Sequence, residues 1–144
     1  MDHPAGAWDA AETEAFLDSV TVPLRLSCHS NGESLWMLSL WFLHRDGAFW
    51  CATSATADVV DYLAADDHVA FEISTNEPPY KGVRGNGTAS VEPDDEKALL
   101  RELLERYLGG TDSGLADRLL SPDREEVTIR IEPDRLYTWD FSDR

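Results

Sequence analysis

Residues 34–54 read SLWMLSLWFLHRDGAFWCATS, and this stretch decides the fold. Residues 34–43 are apolar on both alternating faces. That pattern predicts a central strand covered on both sides, too short for a membrane span. Arg45-Asp46-Gly47 is a hairpin signal, because an Asp-Gly pair adopts the positive φ that a tight turn needs. Residues 48–53, AFWCAT, then return as the partner strand.

The pattern continues outward in both directions. Upstream, Leu24, Leu26 and Cys28 alternate with Arg25, Ser27 and His29, as in a half-buried strand, and Ser30-Asn31-Gly32 is a turn. Residues 9–20 predict a short N-terminal helix with Phe16, Leu17 and Val20 on one face, stopped by Pro23. Downstream, TADVVDYLAADD predicts a helix with Val59, Val60 and Leu63 inward and Thr56 or Asp58 at its cap. Val69, Phe71 and Ile73 mark a strand over 68–74. After the loop Asn76–Pro79, residues 80–91 predict a bent strand whose Gly82, Gly85 and Gly87 admit close approach. A helix from about 94 to 108 ends at Gly109-Gly110, and a helical turn spans 115–120. Two closing strands are expected over 126–132 and 136–141, split by Pro133-Asp134. Hairpin-like connections dominate, so the expected class is mainly β (α+β). The architecture would be an antiparallel barrel of six to seven strands with flanking helices. One domain is expected over 1–144. Its parts are an N-terminal helix (1–21), a barrel core (22–92), a helical insertion (93–121) and closing strands (126–141).

Composition narrows the function classes. Asp and Glu total 28 against 12 Lys and Arg, a net charge of −16, and the only lysines are Lys81 and Lys97. Like charges repel across a compact surface unless salt screens them, and at 1 M the screening length falls to about 3 Å. A halophilic protein is therefore expected. No basic stripe exists to replace nucleic-acid counterions, so no nucleic-acid partner is expected. No apolar run reaches membrane length and the N-terminus lacks a signal pattern, so a cytoplasmic protein without a membrane partner is expected. Cys28 and Cys51 read as buried free thiols. His3, His29, His44 and His68 show no i, i+4 pair and no ligand-type spacing, so no structural metal is expected.

The order SLWMLSLWFL, RDGAFWCATS, helix, DDHVAFEIS, KGVRGNGTASV resembles the pyridoxamine 5'-phosphate oxidase-like family of FMN-binding split barrels, in an acidic, haloarchaeal-type form. The resemblance covers roughly residues 20–92. It implies a split-barrel fold, a homodimer with flavin at the interface, and hydride transfer to a small-molecule substrate. The family's turn T-x-x-S-x-K holds the FMN phosphate; here it reads Thr53-Ser54-Ala55-Thr56-Ala57-Asp58. Thr53, Ser54 and Thr56 keep donors at a helix start, where an anion is favoured, but Asp58 stands in place of the Lys. The compensating cations are Arg84, with Lys81 or Arg25; alternatively these pair with surface carboxylates. Ser39 faces a flavin edge or hydrogen-bonds the backbone, Trp41 borders a flavin or belongs to the core, and Trp139 reaches a partner subunit or packs inward. No nucleophile elbow or triad spacing is present, so no catalytic residue is assigned. The leading expectation is a flavin (FMN) oxidoreductase, with a deazaflavin as the alternative cofactor. The other class is a non-enzymatic module that binds flavin or haem, or nothing.

Overall fold

Chain entry is set by a capping box. Asp9 Oδ1 accepts from Glu12 N (2.8 Å) and Glu12 Oε1 accepts from Asp9 N (3.2 Å), which opens helix α1, Ala10–Ser19. The computed structural model describes residues 4–143, so His3 lies outside the described residues. The strands are β1 (Ala5–Gly6), β2 (Leu24–His29), β3 (Leu35–Leu40), β4 (Phe42–Arg45), β5 (Ala48–Ser54), β6 (His68–Ser74), β7 (Lys81–Pro93) and β8 (Glu126–Asp140). Helices α2 (Asp58–Ala65), α3 (Ala98–Leu108) and α4 (Gly114–Leu119) complete the chain.

One sheet runs β3-β2-β6-β7-β8-β5-β4, antiparallel throughout, with β1 added parallel to β8. Its two edges, β3 and β4, are halves of one segment separated by Trp41 alone. The chain itself therefore curls the sheet into a barrel, and among the described residues no hydrogen-bonded seam joins the edges. This corrects the expectation of one central strand over 34–43. Leu35 and Met37 are 67% and 68% exposed on a free edge, and only from Leu40 onward is the segment buried on alternate faces. An unbroken apolar run indicates two covered faces only if both neighbours exist, and β3 has one.

Two further expectations change. The closing segment is a single 15-residue strand. Pro133 stays paired opposite Gly87, and the irregularity at Asp134 is absorbed as a register shift between Asn86 and Gly87. The start of α2 is Ala57, with no side-chain cap from Thr56 or Asp58. Helix α3 is instead preceded by Asp94, whose two carboxylate oxygens accept from Leu99 N and Leu100 N, both at 3.1 Å.

The barrel interior holds Leu24, Leu26, Phe42, Phe49, Phe71, Ile73, Val83, Ile129 and Ile131. Helix α3 buries Leu99, Leu100, Leu103 and Leu104 against the far side of β5, and Tyr107 stacks on Trp41 at 5.2 Å. Tyr107 Oη accepts from Phe42 N (3.2 Å) and donates to Val22 O (3.0 Å), so it satisfies the backbone where the β3–β4 segment leaves one edge for the other.

Candidate functional site

Alternation places the odd residues of β2 outward, and sheet register lines up one outward row across five strands: Ser39, Arg25, Glu72, Arg84, Tyr137. The next row is Met37, Ser27, Ala70, Asn86, Arg135. Between these rows the outer face forms a groove of about 570 Å³ that includes Arg25, Arg84 and Arg135. Gly85 forms part of its floor. A Cβ there would stand 2.2 Å from Arg135 O, so glycine is what lets β7 and β8 close up beneath the groove.

The charges in the groove are incompletely matched. Arg25 Nη2 donates to Asn76 Oδ1 (3.2 Å), but its Nη1 is shielded from solvent and has no hydrogen-bond partner. Arg84 lies over the rings of Tyr137 (5.0 Å) and Trp139 (4.8 Å), a cation–π arrangement that fixes the guanidinium without neutralising it. Glu72 stands between the two arginines in the row, yet its Oε1 accepts from Ser74 Oγ (2.9 Å). On a chain of net charge −16, three guanidiniums converge on one concave face with a single carboxylate. Such a face suits an anion carrying a flat or apolar group.

No protein-family model and no curated protein matches the sequence. Solved structures do match in fold. Conserved hypothetical protein Rv2991 from Mycobacterium tuberculosis aligns with a TM-score of 0.76 and 22% identity, over 94% of this chain and 86% of that one. A putative pyridoxamine 5'-phosphate oxidase from Listeria innocua aligns at 0.67 and 18%, over 89% and 95%. An F420 reductase aligns at 0.66 and 20%, over 84% and 93%. The fold is the pyridoxamine 5'-phosphate oxidase-like split barrel. Among the described residues, no helix is long and apolar enough to cross a membrane.

The split barrel sorts the residues singled out in the sequence into separate places. Arg25 and Arg84 share the groove, and Trp139 joins them through Arg84. Lys81 does not line it. Three residues before Arg84, it alternates to the other side and pairs in register with Asp140, whose carboxyl is held low mainly by hydrogen bonds from Ser142. Ser39, Trp41 and Thr53 line a second hollow of about 300 Å³ under α3 and α4. Its floor carries Arg124 and the buried Glu126, paired at 3.0 Å, and burial pushes the Glu126 carboxyl up. Ser54 and Thr56 stand at the turn before α2, with their hydroxyls 3.0 Å apart, and Thr56 N donates to Ser54 Oγ (3.3 Å). Asp58 and Asp61 occupy the first turn of that helix.

Sequence reading missed Arg135, Tyr137 and Asn86. Their signal was the same alternation that exposed Arg84, but pairing β7 with β8 was needed to bring them beside it. Neither cysteine is a nucleophile candidate. Both are buried, and burial pushes the Cys51 thiol up to about 12.

Proposed function

We propose that this split barrel binds a flavin-type cofactor, FMN or a deazaflavin, through its phosphate in the outer-face groove and works as a flavin-dependent oxidoreductase. The observation that carries this reading is the enclosed, unpartnered Nη1 of Arg25, a residue that lines the same groove as a ring-held Arg84. A phosphate oxygen would supply the missing acceptor, and an arginine with two free donors suits it geometrically. Arg25, Arg84 and Arg135 would hold the phosphate, and the apolar strip of Met37, Ala70 and Tyr137 would take the ring system. A bound flavin supplies hydride transfer to or from a small organic substrate or reduced nicotinamide. The chain's part is to orient the ring and exclude water.

The reading includes a homodimer. The groove borders the exposed Leu35, Met37 and Tyr137, and the free edge of β3 lies beside it. A second copy laid across this face would cover that apolar surface and enclose the cofactor.

The deciding experiment is the absorbance spectrum of the purified protein, before and after addition of FMN and deazaflavin, for the parent and Arg84→Ala. Flavin bands in the parent and their loss in Arg84→Ala are expected. A parent that takes up neither cofactor overturns the reading. One observation favours a second reading, a barrel without redox function. Asp58 and Asp61 place negative charge at the turn whose Lys holds phosphate in the resembling family. A colourless protein that ignores FMN, deazaflavin and haem would support it.

A further inference from the structure

The hollow under α3 and α4 shares no lining residue with the arginine groove, and the flavin reading makes no use of it. Leu40, Trp41, Leu103 and Leu119 give it apolar walls, and Arg124 and Glu126 are its charged members. Its volume of about 300 Å³ suits a molecule of one ring, since small-molecule pockets start at roughly this size.

The backbone around it is tied down. Strand β8 begins at Glu126, which pairs in register with Ser54 of β5. Glu126 O accepts from Asp94 N (2.9 Å), and the Asp94 carboxylate accepts from the first turn of α3. Lys97 Nζ donates to Ser121 O, which joins the segment before α3 to the segment after α4. The helical cover is therefore held at both ends, and the hollow is formed before anything enters it.

The charged pair has bonding capacity left over. The Glu126 side chain is 1% exposed, so its carboxylate has given up nearly all its water. Arg124 Nε (3.2 Å) and Nη2 (3.0 Å) both donate to Glu126 Oε2. One donor group, Nη1, and one acceptor, Oε1, stand outside these bonds. A buried ion pair is no stability device by itself, because desolvation offsets the attraction. Here it sets a donor and an acceptor beside an apolar space. The pair also fixes the charge of what can enter. An ammonium group would meet Arg124 and a carboxylate would meet Glu126, whose carboxyl burial already pushes up. The complementary head group is uncharged and both donates and accepts. A primary carboxamide does this, with its carbonyl oxygen toward Arg124 and its NH₂ toward Glu126.

We infer that the hollow under α3 and α4 is a second small-molecule site, which takes an uncharged apolar molecule bearing a carboxamide and reads that group with Arg124 and Glu126.

The test is a ligand-observed NMR titration of the full-length protein with benzamide, benzoate, benzylamine and toluene. Saturable binding of one benzamide per chain is expected, with the other three weaker by at least roughly tenfold. Arg124→Met combined with Glu126→Leu removes both charges together, so the variant should melt no lower than the parent. It should lose benzamide affinity by at least roughly tenfold and keep its affinity for toluene. Leu115→Trp enlarges a side chain that lines the hollow and is 38% exposed, so it should fold and block benzamide. Arg84→Ala should leave benzamide binding unchanged, which separates this site from the flavin reading. No saturation in the parent overturns the inference. So does benzoate, benzylamine or toluene binding as tightly as benzamide, or benzamide binding unaffected by the double substitution. If the double variant fails to fold, Leu115→Trp decides: undiminished benzamide binding there overturns the inference as well.

Discussion

Two regions of this barrel carry side chains of the kind that can hold a phosphate, and they differ in what those groups already touch. At the turn before α2, Ser54 and Thr56 satisfy each other, and the helix beyond begins with Asp58 and Asp61. In the groove, Arg25 keeps an enclosed donor without a partner, and Arg84 rests on two aromatic faces. Thr53 pairs with Val127 and Arg84 with Tyr137, ten residues apart on β8, while Ser39, the register partner of Arg25, lines the hollow that includes Thr53. Residue type nominates an anion site, but unmet hydrogen-bonding capacity and local charge sign decide it.

The sharpest way to break this contrast is substitution of both sides. Arg25→Ala with Arg84→Ala removes charge-assisted bonds worth about 1.5–3 kcal/mol each. FMN affinity, measured by fluorescence quenching, should fall at least roughly 100-fold. Ser54→Ala with Thr56→Ala should change it less than about twofold. Equal losses would erase the distinction.

Next in size is Gly85→Val. Its Cβ would sit 2.2 Å from a backbone oxygen of β8, so the strands must part. Urea denaturation should show a loss of about 1–3 kcal/mol, with the groove's FMN binding lost alongside. A variant as stable as the parent would show that the groove floor does not depend on this close approach.

Salt separates the regions by sign. Raising KCl from low to molar concentration screens the acidic surface and should raise the melting temperature, while the same screening weakens phosphate binding by the arginines several-fold. A melting temperature that does not move would remove the halophilic reading. The smallest effect is expected from Asp58→Lys. It replaces a favourable charge at a helix start, so stability at low salt should drop by about 0.3–1 kcal/mol. It should not restore FMN uptake to Arg84→Ala; restoration would return the phosphate to the turn.

Much of the fold was legible in residue periodicity. The alternation of β2 and β6, the Asp-Gly hairpin between β4 and β5, and the Gly109-Gly110 helix end depend on neighbours within a few residues. Gly109 indeed carries φ +75°. Half of the groove was legible too, since Arg25 and Arg84 were identifiable as outward cations by alternation against Leu24, Leu26 and Val83. The apolar run at 35–40 was misleading because a strand's burial depends on what lies beside it, and β3 has a neighbour on one side only.

By itself, then, the sequence determined an antiparallel β protein with helical insertions, an acidic surface, and the local face each strand residue takes. These follow from steric preferences and periodicity acting over a few residues. The tertiary structure alone decided that one segment supplies both sheet edges, that Arg25, Glu72 and Arg84 stand side by side in one row, and that His29 meets Asp66. Each is a contact between residues far apart in the chain, set by strand register, and register is a property of the paired sheet rather than of any one strand.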